Sequence, residues 1–269
     1  MKLYKRAAAL ILTAATLLSL APPVSAEGIK KGDRVTISSA KEFYALVQNC
    51  TRDVWSQGVT VELTADLDLS GSDFQPIPIF QGTFHGNGHT IRGITYDHKG
   101  STLGLFRTLT ESAVVEGLCV EGLLEPQGSA SQLGLLAGEN YGAIRSCSAK
   151  GTVSGQEDVG GLVGVNGETG RIEGSSSQVQ ISGVTNVGGI AGQNLGTLDR
   201  CINTGALNSD PDQEIPTSVG GVAGLSRGTI QSCSNSGEIG YQHLGYNVGG
   251  IVGLQSGSVL QCSNTGQVW

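Results

Sequence analysis

A glycine-rich segment recurs five times in the second half of the chain, and this repetition constrains the fold more than any other feature. The repeats cover residues 133–153, 159–181, 187–207, 219–239 and 248–268, so they begin 26 to 32 residues apart. Propeller blades need about 40–50 residues, and leucine-rich repeats carry a leucine and asparagine consensus that this chain lacks. The spacing instead fits one coil of a parallel β-helix, in which three short strands are joined by bends.

Apolar positions inside each repeat lie three residues apart, which indicates where the chain bends. Val159 and Leu162 form one such pair, and Ile144 and Cys147 form another. On a straight strand, residues three apart face opposite sides, so the chain must bend if both are to point inward. Because glycine adopts left-handed or bulged backbone at little cost, the 42 glycines are interpreted as corners. We expect bends at the glycine pairs and at the residue before each cysteine position (Ser146, Gly174, Arg200, Ser232 and Gln261).

Composition excludes several other classes of protein. Abundant glycine without a three-residue period, together with only 7 prolines, excludes collagen. A mean hydropathy of +0.01 and 38% apolar residues argue against disorder. Each interior glycine costs a helix about 1 kcal/mol relative to alanine, which argues against a helical protein. An all-β chain is the fold class that remains.

The N-terminus has the build of a secretory signal peptide, which we assign to residues 1–26. A basic start (residues 2–6) precedes an apolar run (7–20), and residues 24–26 form a small-x-small cleavage site. The apolar run is too short to span a bilayer; a retained anchor is the alternative. We therefore expect a secreted or cell-surface protein with no transmembrane segment after cleavage. The formal net charge of −7 becomes more negative on cleavage, which disfavours nucleic acid as a partner.

The repeats resemble a known family. Their pattern, V-G-G-L-V-G-x-N-x-G-x-I-x-x-C-x-x-x-G-x-V, is similar to the GLUG-motif repeat of exported bacterial proteins, although Ser175 replaces the cysteine of the second repeat. Residues 80–91 (FQGTFHGNGHTI) resemble the segment that opens many such regions. The resemblance implies a right-handed parallel β-helix, often found in surface proteins, adhesins and accessory regions of extracellular enzymes. It divides the mature chain into a cap with the first strands (27–80) and a β-helix (81–269).

A short helix should close the N-terminal end of this β-helix. Ser39 and Glu42 are spaced as a capping box, and Phe43 and Leu46 follow at helical spacing. The sequence predicts a helix over residues 40–49 that covers the first coil, whose strand edges would otherwise be unpaired. The last repeat is not followed by a comparable segment. We expect that end to be an exposed edge, a site of end-to-end self-association, or the point from which a longer protein continues.

Four of the six cysteines share one position of the repeat, which Ile94 and Leu118 hold in earlier coils. Replacement by isoleucine and leucine indicates an inward, apolar site, so we interpret the cysteines as a structural ladder of buried free thiols. Adjacent coils are about 4.8 Å apart, and a disulfide between neighbouring rungs is the alternative. The spacings do not form C-x-x-C pairs, and we expect no metal and no cofactor. The ladder consists of Cys147, Cys201, Cys233 and Cys262.

Amide and hydroxyl side chains recur at two further repeat positions. Stacked amides at bends can hydrogen-bond along the helix axis, so we interpret both sets as structural. The first set is Asn140, Asn166, Asn194, Ser226 and Gln255, and the second is Asn203, Asn235 and Asn264.

The sequence carries no catalytic motif, and we favour a protein without catalytic activity. The four histidines do not form H-E-x-x-H, and G-x-S-x-G is absent. Sugar-cleaving enzymes need clustered carboxylates, for which Asp66, Asp68 and Asp73 are the candidates. Asp66 and Asp68 alternate with leucines, which is typical of a strand with one solvated face. A carbohydrate-active enzyme, or an accessory domain of one, is the alternative function.

Variable loops between the end of one repeat and the start of the next supply the signal for a binding site. In a stacked helix these junctions lie along one edge, where repeat proteins often bind. Tyrosines beside carboxylates could bind a sugar or a calcium-bridged ligand; solvent-exposed decoration is the alternative. We predict an exported adhesive, binding or structural module whose partner is an extracellular glycan or a host or cell-surface protein. The candidate binding residues are Asp210, Asp212, Glu214, Tyr241, His243 and Tyr246.

Overall fold

The computed structural model describes residues 32–52, 54–208, 216–240 and 245–269; the predicted signal peptide lies outside these residues. Within them the chain forms one helix, α1 (Ala40–Asn49), and a series of short strands. The strands before the repeats are β1 (Arg34–Ile37), β2 (Thr60–Leu63), β3 (Leu67–Asp68), β4 (Ile77–Phe80), β5 (Thr83–His85), β6 (Thr90–Tyr96), β7 (Phe106–Leu109), β8 (Val114–Glu116) and β9 (Cys119–Leu124).

The repeat region adds twenty short strands, with about four strands in each coil. They are β10 (Ser131–Leu133), β11 (Ala137–Asn140), β12 (Ala143–Arg145), β13 (Ser148–Ser154), β14 (Glu157–Gly160), β15 (Val163–Asn166), β16 (Arg171–Glu173), β17 (Ser176–Ser182), β18 (Thr185–Gly188), β19 (Ala191–Asn194), β20 (Thr197–Asp199), β21 (Ile202–Asn203), β22 (Thr217–Gly220), β23 (Ala223–Ser226), β24 (Thr229–Gln231), β25 (Ser234–Asn235), β26 (Tyr246–Gly249), β27 (Val252–Gln255), β28 (Ser258–Leu260) and β29 (Ser263–Asn264).

The strands stack into four sheets that run the length of a parallel β-helix. Successive coils contribute one strand to each sheet, so strand neighbours are separated by a whole coil of sequence. Sheet I is β10-β14-β18-β22-β26, and sheet II is β4-β7-β11-β15-β19-β23-β27. Sheet III is β1-β2-β5-β8-β12-β16-β20-β24-β28, and sheet IV is β3-β6-β9-β13-β17-β21-β25-β29. The predicted parallel β-helix is confirmed, with four strands in a complete coil where the sequence indicated three.

The core forms because equivalent apolar residues of successive coils lie in register. In sheet III, Ile144 pairs with Ile172, Ile172 with Leu198, and Leu198 with Ile230. All four side chains are fully buried. Each coil therefore covers the apolar face of the coil before it, and burial of a side chain of this size contributes about 1.5–3 kcal/mol.

The predicted bend before each cysteine position is confirmed. Ser146, Arg200, Ser232 and Gln261 adopt left-handed backbone with φ between 49° and 53°, and Gly174 does so with φ of 56°. Four of these five positions thus hold a non-glycine residue in a conformation that glycine adopts most easily. A second set of left-handed residues lies in sheet I and was not predicted: Gln132, Asp158, Asn186, Ser218 and Asn247.

The glycine pairs do lie at corners, but the physical reason differs from the one expected. Gly160 and Gly161 do not have positive φ. A Cβ on Gly160 would lie 2.0 Å from the carbonyl oxygen of Val163, and one on Gly161 would lie 2.1 Å from Oγ of Ser177. Glycine is required here because the backbone passes too close to its neighbours for any side chain.

Helix α1 closes the N-terminal end at the predicted position. The Ser39 side chain accepts a hydrogen bond from the Glu42 amide, and Oε2 of Glu42 accepts one from the Ser38 amide at 2.8 Å. Phe43 is fully buried, and Leu46 is 2% exposed. The amide of Ser38 holds the pKa of Glu42 below its usual value. This reciprocal capping box fixes the helix over the first coil.

The other end of the β-helix has an open last coil. Val219 and Ile230 are fully buried and Cys233 is 1% exposed. Their equivalents one coil later, Val248, Val259 and Cys262, are only partly buried. The described residues place no element over β26–β29, and the core of this coil borders solvent.

Candidate functional site

The structure describes one of the six predicted binding residues. Tyr246 begins β26 in sheet I and is 67% exposed. Its amide donates a hydrogen bond to the carbonyl oxygen of Pro216 on the coil before it. The other five residues (Asp210, Asp212, Glu214, Tyr241 and His243) lie outside the described residues, so the predicted binding site stays a prediction.

The described strands show where the variable loops join the β-helix. Thr185, Thr217 and Tyr246 pair in register at the start of three successive strands of sheet I. The chain therefore enters this sheet along one line, with a coil spacing of about 4.8 Å. The loop ending before β22 and the loop ending before β26 meet the body of the protein on adjacent coils.

A shallow groove of about 330 Å³ lies on the outer face of sheet IV near the N-terminal end. The groove lies at a break in strand register between Ile91 and Ile94, where Gly93 has φ of 77°. A Cβ on Gly93 would lie 2.4 Å from the Ser70 amide nitrogen. The sequence signal for this bulge was the three-residue spacing of two inward isoleucines. The lining includes Asp68, Ser70, Arg92, Glu121 and Leu123.

The candidate carboxylates beside this groove are held by residues of the next coil and, for Asp68, also by nearby Ser70. Asp68 accepts hydrogen bonds from the Ser70 hydroxyl and amide and from Nε of Arg92 at 3.1 Å, and these bonds lower its pKa to about 2. Asp66 accepts from the Thr90 amide at 3.0 Å and lies 3.1 Å from Nδ1 of His89; the Thr90 bond is the main cause of its lowered pKa. Both groups are ionised at neutral pH and cannot serve there as general acids.

Basic and acidic side chains of neighbouring coils also lie close together on sheet III. Arg34 lies 3.0 Å from Glu62, and His85 lies 2.7 Å from Glu116. Arg145 extends the series with a distance of 3.6 Å to Glu173. Pairs of this kind near the surface contribute at most about 1 kcal/mol each to the free energy of unfolding. Because they recur between neighbouring coils, we interpret them as contacts that help to align one coil with the next.

The cysteine ladder is inward and consists of free thiols. Cys147, Cys201 and Cys233 are 0–2% exposed, whereas Cys262 is partly exposed. The Cys201 amide donates a hydrogen bond to Sγ of Cys233 at 3.3 Å, and the Cys147 amide donates to Oγ of Ser175 at 3.1 Å. Serine and cysteine thus play the same role at this position. Burial raises the pKa of Cys147 to about 12, which makes its thiolate rare.

The two amide ladders form the hydrogen bonds along the axis that the sequence predicts. Nδ2 of Asn140 donates to Oδ1 of Asn166 at 2.8 Å, and Nδ2 of Asn166 donates to Oδ1 of Asn194 at 2.8 Å. In the second ladder, Asn235 accepts from Asn203 and donates to Asn264, both at 2.7 Å. The buried members of both ladders therefore hydrogen-bond within the fold.

Among the described residues, no group of three histidine, cysteine or acidic side chains is placed to hold a metal ion. In the same part of the chain, no helix is long and apolar enough to cross a membrane.

Comparison with known proteins identifies the repeat. Residues 129–154 and 155–182 match the GLUG motif. Halomucin of Haloquadratum walsbyi is 36% identical over 119 residues, covering 38% of this chain and 1% of halomucin. A protein of Evansella cellulosilytica, provisionally named a Gly-rich membrane protein, is 33% identical over 96 residues, covering 34% of this chain and 11% of that protein. The chain therefore spans a small part of both relatives.

The fold is shared with a solved structure. The crystal structure of a Bacteroides ovatus protein, provisionally assigned as an immunoglobulin A1 protease, superposes with a TM-score of 0.64 over 85% of this chain and 74% of that one. The sequences are 20% identical, so this similarity concerns the fold alone. The chain therefore carries two adjacent GLUG motifs on a parallel β-helix, which supports the resemblance of its repeats to the GLUG-motif family.

Proposed function

We propose that this protein is an exported, non-catalytic β-helix module that binds a glycan or a protein at a cell surface. The observation that carries the proposal is the common line along which the chain enters sheet I. Thr185, Thr217 and Tyr246 lie side by side there, so the two longest junction loops leave from neighbouring coils. Repeat proteins use such an edge because successive loops add to one continuous surface.

The chemistry of these loops favours a polar, hydroxyl-rich ligand. The loop before β22 contains Asp210, Asp212 and Glu214, and the loop before β26 contains Tyr241 and His243. Carboxylates accept hydrogen bonds from sugar hydroxyls, and tyrosine rings offer an apolar face with a polar edge. The similarity to halomucin and to a Gly-rich membrane protein supports a surface or extracellular role.

Replacement of the two tyrosines tests the proposal. The Tyr241→Ala/Tyr246→Ala variant of the mature chain should lose binding in a glycan-array or cell-binding assay, because both aromatic contacts are removed. Leu254→Ala is the matched control, since Leu254 is 45% exposed in the last coil but lies in sheet II. Unchanged binding by the double variant would contradict the proposal.

A carbohydrate-active enzyme is the second candidate, favoured by the groove on sheet IV. Asp68, Arg92 and Glu121 line this groove, and sugar cleavage needs two carboxylates close together, often with a basic partner. Turnover of a polysaccharide that is lost in Glu121→Gln would support this candidate. Binding without turnover would support the first candidate, the non-catalytic binding module.

A further inference from the structure

The groove on sheet IV owes its shape to a β-bulge. Arg92 and Gly93 of β6 lie opposite a single residue of β9, Glu121. A bulge of this kind bends the strand and re-aims the side chains beside it. Gly93 and Gly122 line the groove, and a Cβ on Gly122 would lie 2.7 Å from the carbonyl oxygen of Ile94. Because these two positions carry no side chain, a ligand can approach the backbone between the flanking polar groups.

Glu121 supplies the groove with a carboxylate that has no partner in the fold. The residue is half-buried in β9, and within the part of the chain that the structure describes its carboxylate forms no ion pair and no hydrogen bond. Lys150 pairs with it in register on the next coil, but its side chain is exposed. A half-buried carboxylate has lost part of its hydration, so hydrogen-bond donors of a ligand would bind to it favourably.

The second carboxylate of the groove is occupied by the protein itself. Asp68 accepts hydrogen bonds from the hydroxyl and amide of Ser70 and from Nε of Arg92. The two terminal nitrogens of Arg92 have no further partner among the described residues and remain as donors. The groove thus offers one free acceptor group and one free donor group on neighbouring coils. Sugar cleavage needs two carboxylates, so a single free carboxylate favours binding over cleavage.

Charge and shape select the class of ligand. Asp68 and Glu121 outnumber Arg92 in the lining, and the whole chain has a formal net charge of −7, which disfavours an anionic ligand. A sugar hydroxyl both donates and accepts, so two neighbouring hydroxyls satisfy Glu121 and Arg92 together. Leu123, which is 36% exposed, offers an apolar contact to the C–H face of the ring. We propose that this groove binds neutral hexose units of a glycan chain.

The groove is a second binding surface, distinct from the junction loops. Its volume of about 330 Å³ lies at the lower end of the range for small-molecule sites, which suits a short stretch of a glycan. The proposal extends the glycan-binding role proposed above to sheet IV, but it does not require the loops before β22 and β26.

Titration of the mature chain with short oligosaccharides tests the proposal. The neutral probes are cellotetraose, maltotetraose and mannotetraose, and tetragalacturonate is the anionic counterpart. In NMR spectra, the amide signals of Gly93 and Gly122 should shift with at least one neutral probe and should not shift with tetragalacturonate. Gly205, three coils after Gly122 along the β-helix, is the internal control and should not shift.

Variants of the lining separate binding from folding. Glu121→Ala should weaken binding by about tenfold or more, because the hydrogen bonds to a charged acceptor are lost. Glu121→Gln keeps an acceptor and should weaken binding less, and Leu123→Ala should weaken it by about threefold. Gln178→Ala is the matched control, since Gln178 is exposed at the equivalent position two coils later. An unchanged midpoint of thermal unfolding in these variants shows that the fold is retained.

Several outcomes would overturn the proposal. They are the absence of shifts at Gly93 and Gly122 with every neutral probe, equal shifts with tetragalacturonate, equal binding by Glu121→Ala, and cleavage of a probe. Shifts confined to Tyr246 and its neighbours would support the loop site and overturn the groove site. Shifts in the groove, together with unchanged binding by Tyr241→Ala/Tyr246→Ala, would do the reverse, so the two proposals can fail separately.

Discussion

The two ends of this β-helix are built differently. The N-terminal end is covered by α1 and has an aromatic core, in which Phe84 lies 6.2 Å from Phe80 and 5.7 Å from Phe106 between ring centroids. The C-terminal end has a core of valine and isoleucine that borders solvent. A solenoid cannot bury its own last layer; a helix covers one end here, and no described residue covers the other.

The comparison predicts a gradient of stability along the axis. Side chains near the cap are surrounded on all sides, whereas those of the last coil are covered on one side only. The same type of substitution should therefore cost more at the N-terminal end than at the C-terminal end. Paired substitutions at the two ends measure this gradient.

Removal of an apolar core side chain should give the largest difference. Phe84→Ala leaves a cavity next to Phe80 and Phe106 and should lower the free energy of unfolding by about 3–5 kcal/mol. Val259→Ala, in the partly buried last coil, should lower it by less than about 1.5 kcal/mol. Urea denaturation of both variants checks the prediction; equal losses would contradict the gradient.

Breaking an amide ladder should give an intermediate effect. Asn194→Ala removes the acceptor of Asn166, where both side chains are fully buried, and should cost about 1–3 kcal/mol. Asn264→Ala at the open end should change stability by no more than about 0.5 kcal/mol, because water can replace its amide. The midpoints of thermal unfolding distinguish the two, and a loss at Asn264 as large as that at Asn194 would argue against the open end.

The N-terminal cap should contribute about 1 kcal/mol through Ser39, as measured by Ser39→Ala. Glu42 adds a pH-dependent contribution to the free energy of unfolding. Because its pKa is lower in the folded protein than its usual value of 4.5, it stabilises the fold at neutral pH, and this contribution disappears as the pH falls through the lowered pKa. The difference in unfolding midpoint between wild type and Glu42→Gln should therefore shrink on acidification. A difference that is constant from neutral pH to pH 3 would contradict the capping role.

Thiol reactivity should report the same asymmetry without any change in stability. Under native conditions, alkylation followed by mass analysis should modify Cys262 before Cys147 and Cys201, because Cys262 is in the open coil. After denaturation without reductant, the cysteines of the ladder should all react. Failure of two ladder cysteines to react would reveal a disulfide between them.

The sequence was sufficient to predict the features that depend on one coil stacking on the next. The spacing of Ile144 and Cys147 predicted the bend at Ser146, and the spacing of Ser39 and Glu42 predicted α1. The reason for the glycine pairs was not predictable, because it depends on the distance between backbone segments that only the folded coil brings together.

The candidate sites were less predictable than the fold. The groove beside Arg92 and Glu121 depends on strand register across two coils, which a single sequence does not reveal. The ion pair between Asp68 and Arg92 is of the same kind, since the two residues are 24 positions apart. The loop residues Asp210 and Tyr241 were found by length variation alone and stay a prediction.

The register between neighbouring coils affects how the number of repeats in such a protein can change. Asn166, Asn194 and Ser226 show that a ladder tolerates a different number of residues between its members, 28 in one case and 32 in the next. Because each coil packs chiefly on the coils beside it, duplication or loss of one repeat would lengthen or shorten the rod by about 4.8 Å without creating a new packing problem. The distance over which the protein can reach is therefore open to adjustment by recombination, independently of the chemistry on its surface.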